Sequence, residues 1–305
     1  MRVAFDSRPA SDPRGIGRYT RCLLEALRET AGEHEVLEAQ GCRGADVFHS
    51  PWIDGVRVRS PCPQVVTLHD LVPLKRRSEY LRTGIRFRLR YMAVERAERI
   101  IVPTEAVAAD ALDILKVERE RIVVIAEAAA PAMRVMSAGA VAAVRQRYGL
   151  PDEYLVWVGG LEHPDPRKRV AALAETPRDM PLVLVGPTKP WAHELPDVTL
   201  TGMVSDEDLA AIYTGAHALV LASNDEGFGL PTVEALACGT PVVACDVPAL
   251  REVLADRATF VGADDLTGLL ATAAVVRRPA PDPPAWSWRD AAQATWAVYG
   301  EAAAS

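Results

Sequence analysis

The chain contains no run of eighteen or more apolar residues, so it offers no segment long enough to cross a bilayer as a helix. Its first residues, Met1-Arg2-Val3-Ala4-Phe5-Asp6, enter a strand-like run directly and lack the apolar centre of an export signal. Cysteine is scarce. The five present (Cys22, Cys42, Cys62, Cys238 and Cys245) fall at no metal-ligand spacing. An odd count without an export signal predicts free thiols in a reducing cytoplasm. Excess positive charge is missing as well: the net charge is −7, which argues against nucleic acid as the main partner. What remains is a chain of 305 residues with the composition of a soluble protein and the length of two ordinary domains.

Short apolar runs alternate with stretches of helical period along the chain. Strands are expected at residues 2–5, 46–49, 64–69, 99–102 and 121–125, with helices at 16–27, 82–97 and 105–115. The pattern restarts with strands at 154–158, 182–185, 198–200 and 218–222 and a helix at 206–213. Such alternation predicts parallel sheets covered by helices on both faces. A helix with flanking turn residues within 135–151 puts the domain border near Gly149. The expected division is therefore a first domain at 1–149, a second at 150–280, and a last helix within 281–305 beyond a proline-rich linker. Open parallel sheets bind ligands at the carboxyl ends of their strands. Polar and glycine residues gather at those expected ends: Asp6, His49, His69, Asp70, Thr104, Gly159, Gly160, Gly186, Gly202 and residues 224–226. Two such sheets facing each other would form a cleft.

Residues 223–245 read Ser-Asn-Asp-Glu-Gly-Phe-Gly-Leu-Pro-Thr-Val-Glu-Ala-Leu-Ala-Cys-Gly-Thr-Pro-Val-Val-Ala-Cys. Seven residues separate Glu226 from Glu234. Gly227 and Gly229 leave the backbone bare toward a ligand, and Pro231 suits the first turn of a helix that Gly239 can close. A helix entry with free N–H groups is an anion site. Glu234, read as lying in the first turn, would repel a phosphate but could accept hydrogen bonds from sugar hydroxyls beside one.

This run resembles the signature of family four of the retaining glycosyltransferases, E-x7-E within EGFGLPxxEAxAxGxPVVA. The resemblance implies an α/β GT-B fold: two Rossmann-like, doubly wound parallel-sheet domains facing across a cleft, with a C-terminal helix returning to the first. It also implies transfer of a hexose from a nucleotide-diphosphate sugar, as in mannosyltransferases using GDP-mannose or enzymes using a UDP-sugar, with no metal and no other cofactor. Chemistry that builds charge on a leaving diphosphate needs preorganised cations, and no Asp-x-Asp run falls in a suitable loop. Arg167 and Lys168, after Gly159-Gly160-Leu161, match the family's diphosphate-neutralising position, with Lys168 the better match. Many members also carry an arginine where this chain has Gly160, a loss that Arg167 could cover. Arg169 reads as a solvated basic turn.

The same resemblance distributes further roles. Gly15-Ile16-Gly17-Arg18-Tyr19 fails as a dinucleotide fingerprint, because Thr20 stands where Gly or Ala is needed. It matches the family's Gly-x-Gly-Arg-Tyr loop, which puts Gly15, Ile16 and Gly17 at the donor pyrophosphate and acceptor. Val66-Thr67-Leu68-His69-Asp70 matches a run whose histidine contacts the donor sugar near the reacting carbon, with Asp70 orienting loop or ring. His49 also matches a family run. Val204, in Met203-Val204-Ser205-Asp206, matches the turn packed on the nucleobase. Gly227, Phe228, Gly229 and Leu230 would present N–H groups to the diphosphate, Glu226 would hold a sugar hydroxyl, and Glu234 the ribose. Glu226, His69 and Lys168 are the expected catalytic residues.

Departures also stand out. Glu127-Ala128-Ala129 occupies the place of the family's Pro-Asn-Gly, and the first domain is short after Thr30. The acceptor, which that domain would read, is therefore open: a glycan, a lipid-linked glycan or a small aglycone. From Lys75 to Arg99 the chain holds nine basic and three acidic residues around Leu81, Ile85, Leu89 and Met92. Such a helix can lie on an anionic membrane surface at the cytoplasmic face; the alternative is a solvated helix whose apolar stripe faces the core. Two other functions share these features: a GT-B nucleotide-sugar-binding protein without turnover, and a related phosphorylase or epimerase.

Overall fold

The computed structural model describes residues 1–75 and 85–305. Among them the chain forms two compact units, one of Met1–Glu127 with Trp286–Ser305, the other of Ala128–Ala285. In the first unit β1 (Arg2–Phe5), α1 (Gly15–Glu29), β2 (Glu35–Glu38), β3 (Val47–Ser50) and β4 (Gln64–Thr67) are followed by α2 (Val72–Lys75), α3 (Ile85–Val94), β5 (Arg99–Val102), α4 (Glu105–Leu115) and β6 (Ile122–Val124). The strands pair in the order β2-β1-β3-β4-β5-β6, parallel throughout. β3 and β4 are buried along their whole length, as strands covered on both faces must be. β2, with glutamate at each end and no buried residue, is a charged edge. It lacks the apolar run that marks the other strands, and so was not among those expected.

The second unit runs α5 (Ala138–Tyr148), β7 (Leu155–Val158), α6 (Val170–Glu175), β8 (Leu182–Val185), β9 (Val198–Gly202), α7 (Asp206–Gly215), β10 (Ala218–Leu221), α8 (Leu230–Ala237), β11 (Val242–Cys245), α9 (Pro248–Leu254), β12 (Thr259–Val261) and α10 (Leu266–Val275). Its sheet has the order β12-β11-β10-β7-β8-β9, again all parallel. Leu155, Trp157, Leu182, Leu184, Val220 and Val243 centre its core against Leu269 and Ala273 of α10. The last helix, α11 (Trp288–Ala303), packs on α1 of the first unit. Trp296 Nε1 donates to Thr30 Oγ1 at 3.2 Å, and Ser287 caps the helix by accepting the Asp290 N–H.

The division falls after Glu127, earlier than the border expected near Gly149. The reason lies in α5, which is tied to α7: Arg147 and Tyr148 both bond Asp208, at 2.6 and 2.7 Å, and Arg145 Nη2 donates to the Gly215 carbonyl at 3.3 Å. These polar ties, invisible to periodicity, assign residues 128–149 to the second unit.

The thiol expectation needs correcting. Cys42 and Cys62 form a disulfide, with Cα atoms 5.9 Å apart; Cys22, Cys238 and Cys245 are free and buried. Parallel pairing explains the bridge. Cys42 precedes β3 and Cys62 precedes β4, and because β3 lies parallel beside β4, the two approach loops meet at the amino ends of these strands. The inference from free thiols to a reducing compartment fails for this pair.

Among the described residues, no helix is long and apolar enough to cross a membrane. Of the expected stripe, Leu81 and the side chain of Ile85 lie outside what the structure describes. Leu89 and Met92 are exposed, whereas Tyr91, Ala93 and Val94 are buried, so the core-facing side of α3 is not the one expected. Arg90 pairs with Asp54 at 2.7 Å and Lys75 with Asp110 at 2.9 Å.

Candidate functional site

In the second unit two loops at the carboxyl ends of β7 and β10 are stitched together. Asp165 organises the first. Its carboxylate accepts the Arg167 N–H at 2.9 Å, and its carbonyl accepts the N–H groups of Lys168 and Arg169. The Arg167 carbonyl accepts the Asn224 N–H of the second loop at 3.1 Å. Arg167 then reaches across: its Nη1 lies 3.3 Å from Glu226 Oε2, both side chains being only 14% and 13% exposed. At that degree of burial water and salt screen the pair less than they screen a surface bridge. Lys168 Nζ sits 5.9 Å from the centroid of the Trp157 ring. Two residues proposed separately from sequence, Arg167 and Glu226, are thus direct partners with Lys168 beside them.

Arg169 is not a solvated turn. Its φ is +52°, a left-handed conformation that costs a non-glycine residue roughly 1 kcal/mol. Its guanidinium is held by the Ala222 carbonyl at 2.8 Å and Cys245 Sγ at 3.0 Å, at the ends of β10 and β11. The side chain anchors the cationic loop to the sheet.

Gly229 opens α8 at φ +87°, and a Cβ there would lie 2.5 Å from Leu250 Cδ2. Both requirements demand glycine. Pro231 has no N–H, and the Thr232 N–H is taken by the Gly229 carbonyl at 2.8 Å. An anion at this turn would therefore have to meet backbone groups earlier in the loop. Gly227, Phe228 and Leu230 are buried. Because α8 starts at Leu230, Glu234 lies in the second turn, not the first as expected. Glu234 is 2% exposed, and Tyr213 Oη donates to its Oε2 at 3.4 Å. Burial, with Glu234's charge adding, pushes the neighbouring Cys238 thiol up to about 12. Val204 is half-buried, and Ser205 beside it caps α7 by accepting the Asp208 N–H.

In the first unit, Gly15, Ile16 and Gly17 form the first turn of α1 itself rather than a loop before it. Ile16 is 37% exposed. A Cβ on Gly17 would lie 1.8 Å from the Asp12 carbonyl oxygen, so glycine is required there by the packing of the preceding turn. Farther along α1, Tyr19 Oη bonds Thr67 Oγ1 at 3.0 Å. Thr67 also meets His49 Nε2 at 2.9 Å, and His49 Nδ1 meets Tyr299 Oη at 2.5 Å. His49 is fully buried, and burial pushes its pKa down to about 3; it is a neutral pin between the sheet and α11.

His69 follows β4. Its Nδ1 lies 3.0 Å from Glu127 Oε1 and its Nε2 3.0 Å from the Pro51 carbonyl. Burial opposes charge on this ring, but the bond and charge of Glu127 outweigh it and raise the pKa. Asp70 uses Oδ1 to accept the Val72 N–H. Other strand-end residues have structural duties. Asp6 is spent on Arg8 and Trp52, and Thr104 caps α4. Sequence reasoning saw Glu127 only as a departure and missed Tyr213 and Tyr299 entirely. A charged residue shortly after an apolar strand, with Ile125 and Ala126 between it and β6, is the signal that sequence offers for Glu127. Among the described residues no group of three or more His, Cys, Asp or Glu could hold a metal ion.

Comparison with known proteins adds the class. Residues 152–276 match the family model for glycosyl transferases group 1, and residues 43–128 match that of glycosyltransferase family 4. The chain is 30% identical over 338 aligned residues to a D-inositol 3-phosphate glycosyltransferase of Salinispora arenicola, covering 90% of this chain and 73% of that protein. It belongs to glycosyltransferase family 4. The serotype-specific mannosyltransferase WbdA of Escherichia coli is 29% identical over 220 residues. That match covers 64% of this chain but 26% of WbdA, so the chain spans about a quarter of that relative's length. Among solved structures, HepE of Anabaena in complex with UDP-glucose aligns with a TM-score of 0.70 at 16% identity, covering 100% of this chain and 98% of that one. WaaG, a glycosyltransferase of lipopolysaccharide biosynthesis, aligns at 0.64 and 17% identity, covering 100% and 94%. The shared fold is GT-B.

Proposed function

We propose that the protein is a retaining glycosyltransferase that needs no metal and moves a hexose from a nucleotide-diphosphate sugar to an acceptor hydroxyl. The observation that carries the reading is the joined pair of loops in the second unit, where Arg167 contacts Glu226 and Lys168 follows directly in the chain. In the reaction the bond between the anomeric carbon and the diphosphate oxygen breaks while the acceptor oxygen bonds the same carbon from the same face. The acceptor proton passes to the departing phosphate oxygen, and no side-chain nucleophile is required. Negative charge grows on the diphosphate, and Arg167 and Lys168 are the cations placed to meet it. Glu226 holds a sugar hydroxyl and, through its ion pair, orients Arg167. Glu234 holds the ribose, with Tyr213 fixing its carboxylate.

The mannosyltransferase relatives and the UDP-glucose complex of HepE make GDP-mannose and UDP-sugars the donors to try first. A thermal-shift screen of nucleotide sugars should single one out, since a ligand stabilises in proportion to occupancy. With that donor and an acceptor, nucleoside diphosphate should be released at the same rate with and without chelator, and product NMR should show the donor's anomeric configuration. A sharp loss with chelator would overturn the metal-free reading. Glu234→Ala should weaken donor binding by about tenfold, the loss of one charge-assisted contact; unchanged nucleotide affinity by calorimetry would count against the ribose role.

A further inference from the structure

Both ring nitrogens of His69 face acceptors. The Pro51 carbonyl oxygen, 3.0 Å from Nε2, can only accept, so Nε2 carries a proton in every state of the ring. Nδ1 lies 3.0 Å from Glu127 Oε1, and a bond there also needs a proton. If the carboxylate is ionised that proton sits on the imidazole, which becomes an imidazolium. If it sits on oxygen, a neutral ring accepts from a carboxylic acid.

We propose that Glu127 is a positioning residue that holds His69 as a fixed imidazolium, so that His69 serves as a stationary cation and not as a proton carrier or a hydroxyl ligand. The part of this that concerns transfer rests on the glycosyltransferase reading above. Ordinary basicity places the shared proton on imidazole rather than carboxylate by roughly two pKa units. The surroundings point the same way. Asp70 adds a second negative charge beside the ring. His49 stays neutral at physiological pH, its pKa pushed down by burial, and so brings no competing cation. Tyr19 packs edge-on against His69 with ring centroids 4.6 Å apart, and burial keeps its hydroxyl protonated. Asp6 is neutralised by Arg8. Glu127 is 4% exposed and His69 19%, so water does little to screen the pair. With both N–H groups turned to protein acceptors, neither ring nitrogen is left to bind a sugar hydroxyl. The ring offers its charge and its C–H edge. Glu127-Ala128-Ala129, in sequence a departure from the family pattern, thereby becomes the feature that sets the state of His69.

The test starts with the unmodified full-length protein. Long-range ¹⁵N correlation spectra of the histidine rings, taken from about pH 6 to 9 across the imidazole range, should show His69 with both nitrogens protonated at neutral pH, above the midpoint of an ordinary histidine. A neutral ring with a single proton on Nε2 at about pH 7 would overturn the proposal. In Glu127→Gln the midpoint should drop by at least about one unit, the loss of one adjacent charge; an unchanged midpoint overturns the role of Glu127. Donor-dependent turnover of Glu127→Gln should fall about tenfold in kcat with little change in donor KM, and Glu127→Asp should recover part of it. An equal fall in Glu127→Asp and Glu127→Gln would mark a merely steric role. The spectra do not depend on transfer, so an imidazolium in a protein that transfers nothing would defeat the functional reading and leave the charge assignment standing.

Discussion

The two units share a sheet of six parallel strands but use their strand ends in opposite ways. In the first unit the polar residues are bound inward, to one another: Tyr19, Thr67, His49 and Tyr299 form one buried hydrogen-bonded chain, and His69 is closed off by Glu127 and Pro51. In the second unit the corresponding loops hold charged groups joined by an ion pair, Arg167 against Glu226 at 3.3 Å. One fold thus supplies a side pinned by hydrogen bonds and a side that carries charge. A surface proposed to meet a diphosphate needs cations; one that must hold an added helix, α11, needs its polar groups satisfied.

The largest effect should come from the charged side. Glu226→Ala removes the proposed ligand for the donor sugar and breaks the ion pair with Arg167, which also lies 3.5 Å from Asp165. Turnover should fall on the order of 10²–10³-fold, the usual loss for one group acting on the reacting centre. The melting temperature should change little, because Glu226 is a partly exposed loop residue. Nucleoside-diphosphate release by the purified variant checks this; near-normal turnover would show that these charged loops are not the reacting surface.

How far this contrast could be read from the chain differs between the units. The second unit was the more legible. Apolar runs mark β7, β8, β10 and β11, and Glu226, Glu234, Arg167 and Lys168 stand out through the family resemblance of the runs that hold them, not through spacing alone. Partnership was not legible: nothing in spacing says that Arg167 meets Glu226, or that Arg169, in a left-handed turn, anchors the loop at Cys245. In the first unit the strands were found apart from the charged edge β2, but function and structure were confused. Asp6, His49 and Thr104 looked like site residues because they are polar and end strands. Each proves to be spent on a neighbour distant or unremarkable in sequence. Gly17, expected at the donor pyrophosphate, is also required by packing that sequence does not show, because the Asp12 carbonyl excludes any Cβ there. Contacts such as His49 to Tyr299, 250 positions apart, carry no local signal, and neither does the Cys42–Cys62 bridge, formed because β3 lies beside β4.

The pinned side predicts a stability effect in place of a catalytic one. Tyr299→Phe removes one hydroxyl from a fully buried site and strands His49 Nδ1 without a partner. Leaving a buried polar atom unpaired costs about 1–3 kcal/mol. Urea unfolding should show that loss with an unchanged slope. A change below about 0.5 kcal/mol, the scale of an ordinary surface substitution, would mean that the chain of hydrogen bonds does not hold α11.

The smallest effect, and the one that compares the units most directly, is their response to pH. His49 is buried neutral with its pKa pushed down to about 3. Below the ordinary imidazole range the unfolded chain binds a proton at this residue and the folded chain does not, so stability is full above that range and falls as the pH drops toward about 3. The first pH unit below the range should cost about 1 kcal/mol. His69 has the opposite sign. Its pKa is raised, so its contribution is full in acid and is lost as the pH rises through the folded value. The first unit therefore has two histidines of opposite sign, His49 eroding stability as the pH falls and His69 as it rises. Hydrogen-exchange protection factors measured on the full chain can read this. Between about pH 6.5 and 5.5, the onset of imidazole protonation, protection of β3 and β4 amides should fall while that of β10 and β11 holds. An equal fall in both sheets would place the acid-sensitive group outside the His49 pin.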